Sequence, residues 1–71
     1  MRQADLSVKS VDLMEVSRML TKRVVAPQCM MKEVGEHEGR FYMLDWVTNR
    51  VDRLTLGAFR HLSNAWSVCS Q

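Results

Sequence analysis

The chain has little proline, glycine or cysteine, and it shows no secretory start. Among 71 residues there are one Pro, three Gly and two Cys, and the opening MRQADLSVKS is polar with no apolar segment after it. We therefore expect no leader peptide, free thiols at Cys29 and Cys69, and a reducing, cytoplasmic location. An apolar content of 46% with 25% charged residues is typical of an ordinary globular domain and excludes a disordered or fibrous chain.

The sequence also lacks a long apolar run and a strong charge of either sign. No segment approaches the roughly 18 to 20 apolar residues of a transmembrane helix, so no membrane span is expected. Ten basic and eight acidic residues leave a net charge of +2, which is too mild to indicate nucleic-acid binding by itself. A single domain of this length buries only about 60% of its unfolded surface, so its core is small.

The first periodic segment predicts an amphipathic helix. Ser10 offers a side-chain oxygen as N-cap, and Asp12 places a negative charge in the first turn. Pro27 excludes a helix that continues past it, so the segment ends by about residues 23–24. Residues 1–10 lack a period and are expected to form a loose lead-in. The apolar stripe recurs at steps of three and four residues, at Leu13, Val16, Leu20 and Val24.

A three-stranded antiparallel meander is predicted next. Residues 28–34 alternate weakly and predict its first strand, and residues 35–39, bracketed by glycines, predict a hairpin loop. Residues 40–47 are apolar on nearly both faces and predict the central strand. After a polar break at 48–50, the alternation of residues 51–56 predicts the third strand.

The final part of the chain has two interpretations. The favoured one ends the third strand at Leu56, breaks at Gly57 and forms a short helix from Ala58 to about Ser67. The alternative runs one helix from Asn49 to Trp66, with Gly57 inside it at a cost near 1 kcal/mol. The favoured architecture is therefore α+β: one domain with an N-terminal amphipathic helix, a three-stranded antiparallel sheet and a short C-terminal helix.

The segment GRFYMLDW, followed by a polar break and VDRLTLGAFRHL, resembles part of the WYL domain of bacterial regulators. Phe41-Tyr42-Met43 occupies the position of the family's aromatic-Tyr-aliphatic tripeptide, and residues 23–27 are similar to the stretch that enters the pattern. The resemblance covers about half of the chain. It implies an SH3-like or Sm-like β-barrel module and, with it, ligand or nucleic-acid binding. The alternating apolar positions of the pattern are matched by Leu54, Leu56, Phe59 and Leu62.

Arginines interleaved with aromatic residues suggest a possible nucleic-acid surface. Guanidinium groups suit phosphate, and aromatic rings such as Tyr42 and Trp46 offer platforms on which bases stack. The alternative is a purely structural role, with solvated arginines beside aromatic residues of the core. The candidate nucleic-acid-binding residues are Arg40, Arg50, Arg53 and Arg60.

Metal and catalytic sites have little support in the sequence. Two His and two Cys, at positions 29, 37, 61 and 69, are scattered, whereas structural zinc sites use ligands in tight pairs. Asp52, His61 and Ser63 supply the residue types for acyl transfer, but no nucleophile elbow, phosphate-cradling loop or HExxH spacing accompanies them. We expect neither a metal, a cofactor nor an enzymatic activity.

Methionine is abundant, and it has two interpretations: side chains that fill gaps in a small core, or adaptable contacts on a binding surface. Six Met and two Trp are hard to bury in so small a domain, and an exposed apolar patch indicates association. The favoured function is a small regulatory or accessory module that binds a protein partner and self-associates, with homodimerisation relieving the size problem. The second hypothesis is a nucleic-acid-binding transcriptional regulator. The candidate partner-binding residues are Met30, Met31, Tyr42, Trp46 and Trp66.

Overall fold

The computed structural model describes residues 12–28 and 30–69, so the predicted lead-in, residues 1–10, lies outside it. In the described part a helix, four strands and a second helix follow one another, and the strands form one antiparallel sheet in the order β1-β2-β3-β4. The α+β class, the antiparallel sheet and the two helices are confirmed, but the sheet has four strands instead of three. The elements are α1 Leu13–Met19, β1 Thr21–Val25, β2 Lys32–His37, β3 Arg40–Asp45, β4 Arg50–Leu54 and α2 Leu56–Cys69.

The first helix is shorter than its apolar stripe predicts. Its N-cap is Asp12, whose Oδ1 accepts a hydrogen bond from the Met14 N–H at 3.1 Å, and not Ser10. It ends at Met19, and its C-cap Leu20 is already extended at φ −79° and ψ 144°. The prediction of helix as far as residues 23–24 is wrong because Thr21–Val25 is rich in β-branched residues, which favour a strand. This segment supplies the strand that the sequence analysis missed.

The hairpin between β2 and β3 is tighter than the predicted loop at residues 35–39. Glu38 and Gly39 alone form the turn, with φ of 51° and 82°, the signs that a two-residue type I′ turn requires. Gly35 lies inside β2, where it pairs with Tyr42. A Cβ at this position would lie 2.8 Å from the Leu20 Cβ, so glycine here allows the end of α1 to approach the sheet closely.

The second helix begins directly after β4, and Gly57 does not break it. The Thr55 side chain caps α2 by accepting a hydrogen bond from the Ala58 N–H at 3.1 Å. Gly57 lies within the first turn and has open space around its Cα. The single helix over residues 49–66 is also wrong, because residues 50–54 pair with β3 in continuous antiparallel register.

The two helices cover opposite faces of the sheet. Neighbouring residues of β3 point to different faces, so Tyr42 and Leu44 pack with α1, whereas Phe41 and Met43 pack with α2. The sheet therefore has one core cluster on each side. The α1 cluster contains Leu13, Val16, Leu20, Tyr42 and Leu44; the α2 cluster contains Ala26, Val34, Phe59 and Trp66.

Candidate partner-binding surface

Two connections leave the sheet at the same end and lie side by side. Because β2 begins and β3 ends at the Lys32–Asp45 pair, the chain before β2 meets the turn after β3. The Trp46 N–H donates to the Met31 carbonyl at 2.9 Å, which extends the pairing one step beyond the strands. This bond brings Met30 and Met31 next to the turn at residues 46–49.

Large apolar side chains are exposed at this end. Met30 is 41% exposed, Met31 56% and Val47 71%, and Trp46 beside them is half-buried. Single exposed apolar residues are ordinary, but several on adjoining connections form a candidate interaction surface. We call Met30, Met31, Trp46 and Val47 the apolar loop end.

The turn that carries Val47 is held by Asp45. Its Oδ1 accepts hydrogen bonds from the Val47 N–H at 3.0 Å and the Thr48 N–H at 3.2 Å. These bonds, that of Thr48 above all, lower the pKa of Asp45, and the charge of Lys32, whose Nζ is 3.9 Å from Oδ2, lowers it further. A charged carboxylate thus fixes the backbone beneath an exposed valine.

The orientation of Trp46 is set by a buried glutamate. Glu33 is only 4% exposed and lies on the α1 face of β2. Its Oε1 accepts from the Trp46 Nε1–H at 3.0 Å, and its Oε2 accepts from the Ser17 hydroxyl and from the Arg23 Nε–H, both at 2.9 Å. One carboxylate therefore joins α1, β1 and the turn after β3. This network supports the apolar loop end from inside the fold.

No family model, curated protein or solved structure matches this chain. The resemblance of Phe41-Tyr42-Met43 and its surroundings to the WYL domain therefore stays a prediction. The support for the candidate surface therefore comes from the contacts and exposure of its own residues.

Three of the five predicted partner-binding residues, Met30, Met31 and Trp46, belong to the apolar loop end. The other two lie in the core, since Tyr42 is 0% exposed and Trp66 5%. These two residues sit on opposite sides of the sheet, in the α1 and the α2 cluster respectively. Neither can contact a partner in this structure.

The four candidate arginines do not share one surface. Arg53 faces Tyr42 across β3 and β4, and Arg40 lies two residues before Tyr42, so both arginines belong to the α1 face. Arg50 is on the opposite face, where its Nη2 pairs with the Asp52 Oδ1 at 3.3 Å. Arg60 is exposed on α2. The structure thus groups two arginines and separates the others.

The residues considered for metal binding or catalysis are also dispersed. His37 lies at the start of the β2–β3 hairpin, with Nδ1 3.3 Å from the Met19 carbonyl, whereas His61 is exposed on α2 across the sheet. Ser63 has a buried hydroxyl without a hydrogen-bond partner. Within residues 12–28 and 30–69, no three His, Cys, Asp or Glu side chains are placed to hold a metal. Cys29 and the Cys69 side chain lie outside the description.

Sequence reasoning missed Val47 and Glu33. Val47 was assigned to the central strand, which the structure ends at Asp45. The Asp-x-x-Thr-Asn run that follows is a usable turn signal, because aspartate accepts hydrogen bonds from backbone groups two residues on. Glu33 has no comparable signal, since its burial depends on residues from three other segments. In the described helices, no segment is long and apolar enough to cross a bilayer.

Proposed function

We propose that this chain is a non-catalytic accessory module of the cytoplasm that binds a protein partner through the apolar loop end and also self-associates. The observation that carries the proposal is the convergence of Met30, Met31 and Val47 on two connections joined by the Met31–Trp46 hydrogen bond. Flexible methionine side chains adapt to a partner's shape, and an aromatic ring beside them provides an anchor.

The support beneath this surface favours binding without rearrangement. Asp45 holds the turn and Glu33 holds the Trp46 indole, so less conformational freedom is lost when a partner docks. Beneath this end, Ser17 and Arg23 both donate hydrogen bonds to the Glu33 carboxylate. They form an internal support for the turn that carries Trp46 and Val47.

Paired charge substitutions test the proposal in the native host. Met31→Glu with Val47→Glu places two charges on the apolar loop end, and a bound partner has to desolvate them. Met19→Glu with Leu56→Glu is the matched control, because these two side chains are 40% and 45% exposed at the opposite end of the sheet, near the β2–β3 hairpin. We expect a captured protein to be lost with the first pair and retained with the second. Capture that is unaffected by either pair, or lost with both, contradicts the proposal.

Nucleic-acid binding is the second candidate, and the grouping of Arg40 with Arg53 on the α1 face favours it. Diagonal neighbours on adjacent strands lie roughly 7–8 Å apart, close to the spacing of successive phosphates. Removing two phosphate contacts reduces the slope of log affinity against log salt by about 1.4 to 1.8. We therefore measure this slope on single-stranded and duplex probes for the double variant that carries Arg40→Gln and Arg53→Gln. The variant Arg60→Gln, on α2, is the comparison. Binding that is undetectable at low salt eliminates this candidate.

A further inference from the structure

The two edges of the sheet differ in how readily another strand can pair with them. On β1 the register shifts between Thr21 and Val24, Lys22 has a φ of 52°, and Pro27 follows closely. Bulges, charges and proline are the usual protection of an edge. By contrast, all five residues of β4 pair with β3 without a shift. The outer side of β4 is therefore a regular edge.

The charges of β4 discriminate between the ways in which it can pair with itself. Consider two copies of β4 paired antiparallel about a two-fold axis normal to the sheet. Each side chain stays on the same face of the sheet, so the residue at the axis lies opposite its own copy. An axis at Asp52 or at Arg53 sets each of these residues against its own copy, and like charges directly opposite are destabilising. An axis at Val51 sets Arg50 of each copy opposite Asp52 of the other. Among registers that overlap three or more strand residues, this one alone avoids a like pair.

The arrangement within one chain fits that register. Arg50 and Asp52 lie on the α2 face and already pair at 3.3 Å, with side chains 69% and 42% exposed. Two copies would join these pairs into a cluster of four alternating charges. Strand pairing uses groups in the plane of the sheet, whereas α2 packs on its face. The helix therefore does not occupy the surface that the second strand needs.

We infer that a second copy of this chain pairs with β4, antiparallel and centred on Val51, to give one continuous eight-stranded sheet. This inference rests on the self-association in the proposed function and gives that association its own surface, separate from the apolar loop end. The overlap is short, so the dimer is expected to be weak and reversible, as small interfaces are.

Charge reversal tests the inference. In a dimer of the Arg50→Asp variant, both pairs between residues 50 and 52 become Asp–Asp. In a dimer of the Asp52→Arg variant, both become Arg–Arg. Sedimentation velocity over a concentration series should show a dimer dissociation constant raised on the order of tenfold or more in each variant. An equimolar mixture of the two variants restores both attractive pairs, so it should dimerise at least as well as the unchanged chain. A folding defect cannot produce that rescue.

Arg60→Asp is the matched control, since it reverses an exposed arginine on α2 and should leave the dissociation constant unchanged. Far-UV circular dichroism verifies that each variant is folded. If both single variants dimerise like the unchanged chain, or if the mixture is not rescued, the pairing through β4 is wrong although self-association stands. If the unchanged chain is monomeric at every concentration, self-association itself fails, and partner binding through the apolar loop end is unaffected.

Discussion

Replacing Glu33 with glutamine keeps the shape of the side chain and removes one acceptor. The carboxylate accepts three hydrogen bonds, two on Oε2 and one on Oε1. A glutamine amide presents one oxygen and one NH₂ group. With its oxygen in the Oε2 position, the NH₂ faces the Trp46 indole N–H; with its oxygen in the Oε1 position, the NH₂ faces the Arg23 Nε–H. In either orientation one N–H donor loses its acceptor.

The cost follows from the surroundings of these donors. A buried donor without a partner costs about 1–3 kcal/mol, and the Trp46 indole is half-buried. Arg23 is 46% exposed on its side chain, so water compensates for part of its loss. The Ser17 hydroxyl can rotate to accept from the amide. We therefore expect Glu33→Gln to lower the free energy of unfolding by about 2 kcal/mol.

Urea unfolding followed by tryptophan fluorescence measures this loss, because Trp46 and Trp66 report on both sides of the sheet. Glu36→Gln is the matched control. Glu36 pairs at 3.0 Å with Lys22, whose side chain is 69% exposed, and such surface pairs contribute about 0–1 kcal/mol. If Glu33→Gln lowers the free energy of unfolding no more than Glu36→Gln does, the buried network does not stabilise the turn.

Four further substitutions test other parts of the fold. Gly35→Ala should destabilise the fold by about 1–3 kcal/mol, because the added Cβ meets the Leu20 Cβ at 2.8 Å. Gly57→Ala, in open space within α2, should stabilise the fold by about 0.5–1 kcal/mol. Equal urea midpoints for the two variants would contradict the packing at Gly35. Thr55→Ala removes the α2 N-cap and should lower stability by about 1 kcal/mol in the same assay. The lowered pKa of Asp45 contributes stability that is fully present above its unfolded value of 3.8 and is lost as the pH falls through the folded value. Asp45→Asn should therefore show a shallower loss of stability below pH 4, and an unchanged acid profile would contradict the role of this carboxylate.

The spacing of apolar residues predicted the correct element wherever a segment followed a single period, helical or alternating. The stripe at Leu13, Val16 and Leu20 identified the helix, and alternation identified β3 with its buried Tyr42 and Leu44. It failed at Thr21–Val25, where a helical stripe continued by coincidence into residues that form a strand. Only the pairing with β2 resolves that ambiguity.

Two glycines were misassigned from the sequence, and for different reasons. Gly35 resembles a loop residue in sequence, and its position in a strand is explained by the approach of Leu20 from another element. Gly57 resembles a breaker, but it is tolerated in a first turn that Thr55 caps. The deciding contact for Gly35 comes from another element, whereas the Thr55 cap beside Gly57 is local and was overlooked.

The candidate site was predictable in composition and not in arrangement. Met30, Met31 and Trp46 were selected for their residue type, but their proximity depends on the register that pairs Lys32 with Asp45. The division of the arginines had a partial signal, because Arg50 and Arg53 are three apart and therefore lie on opposite faces of a strand. That signal is useful only once the strand is known to begin at Arg50.

The central claim, that the apolar loop end contacts a protein, is tested most directly by site-specific photo-crosslinking in the native host. A crosslinking residue at Val47 should capture a discrete protein, and the same residue at Met19, exposed on α1 beside the β2–β3 hairpin at the opposite end of the sheet, should not. A Val47 crosslink that Met31→Glu abolishes, with unfolding midpoints unchanged, is the result we predict. Equal capture from both positions, or capture from Met19 alone, would contradict the assignment of this surface.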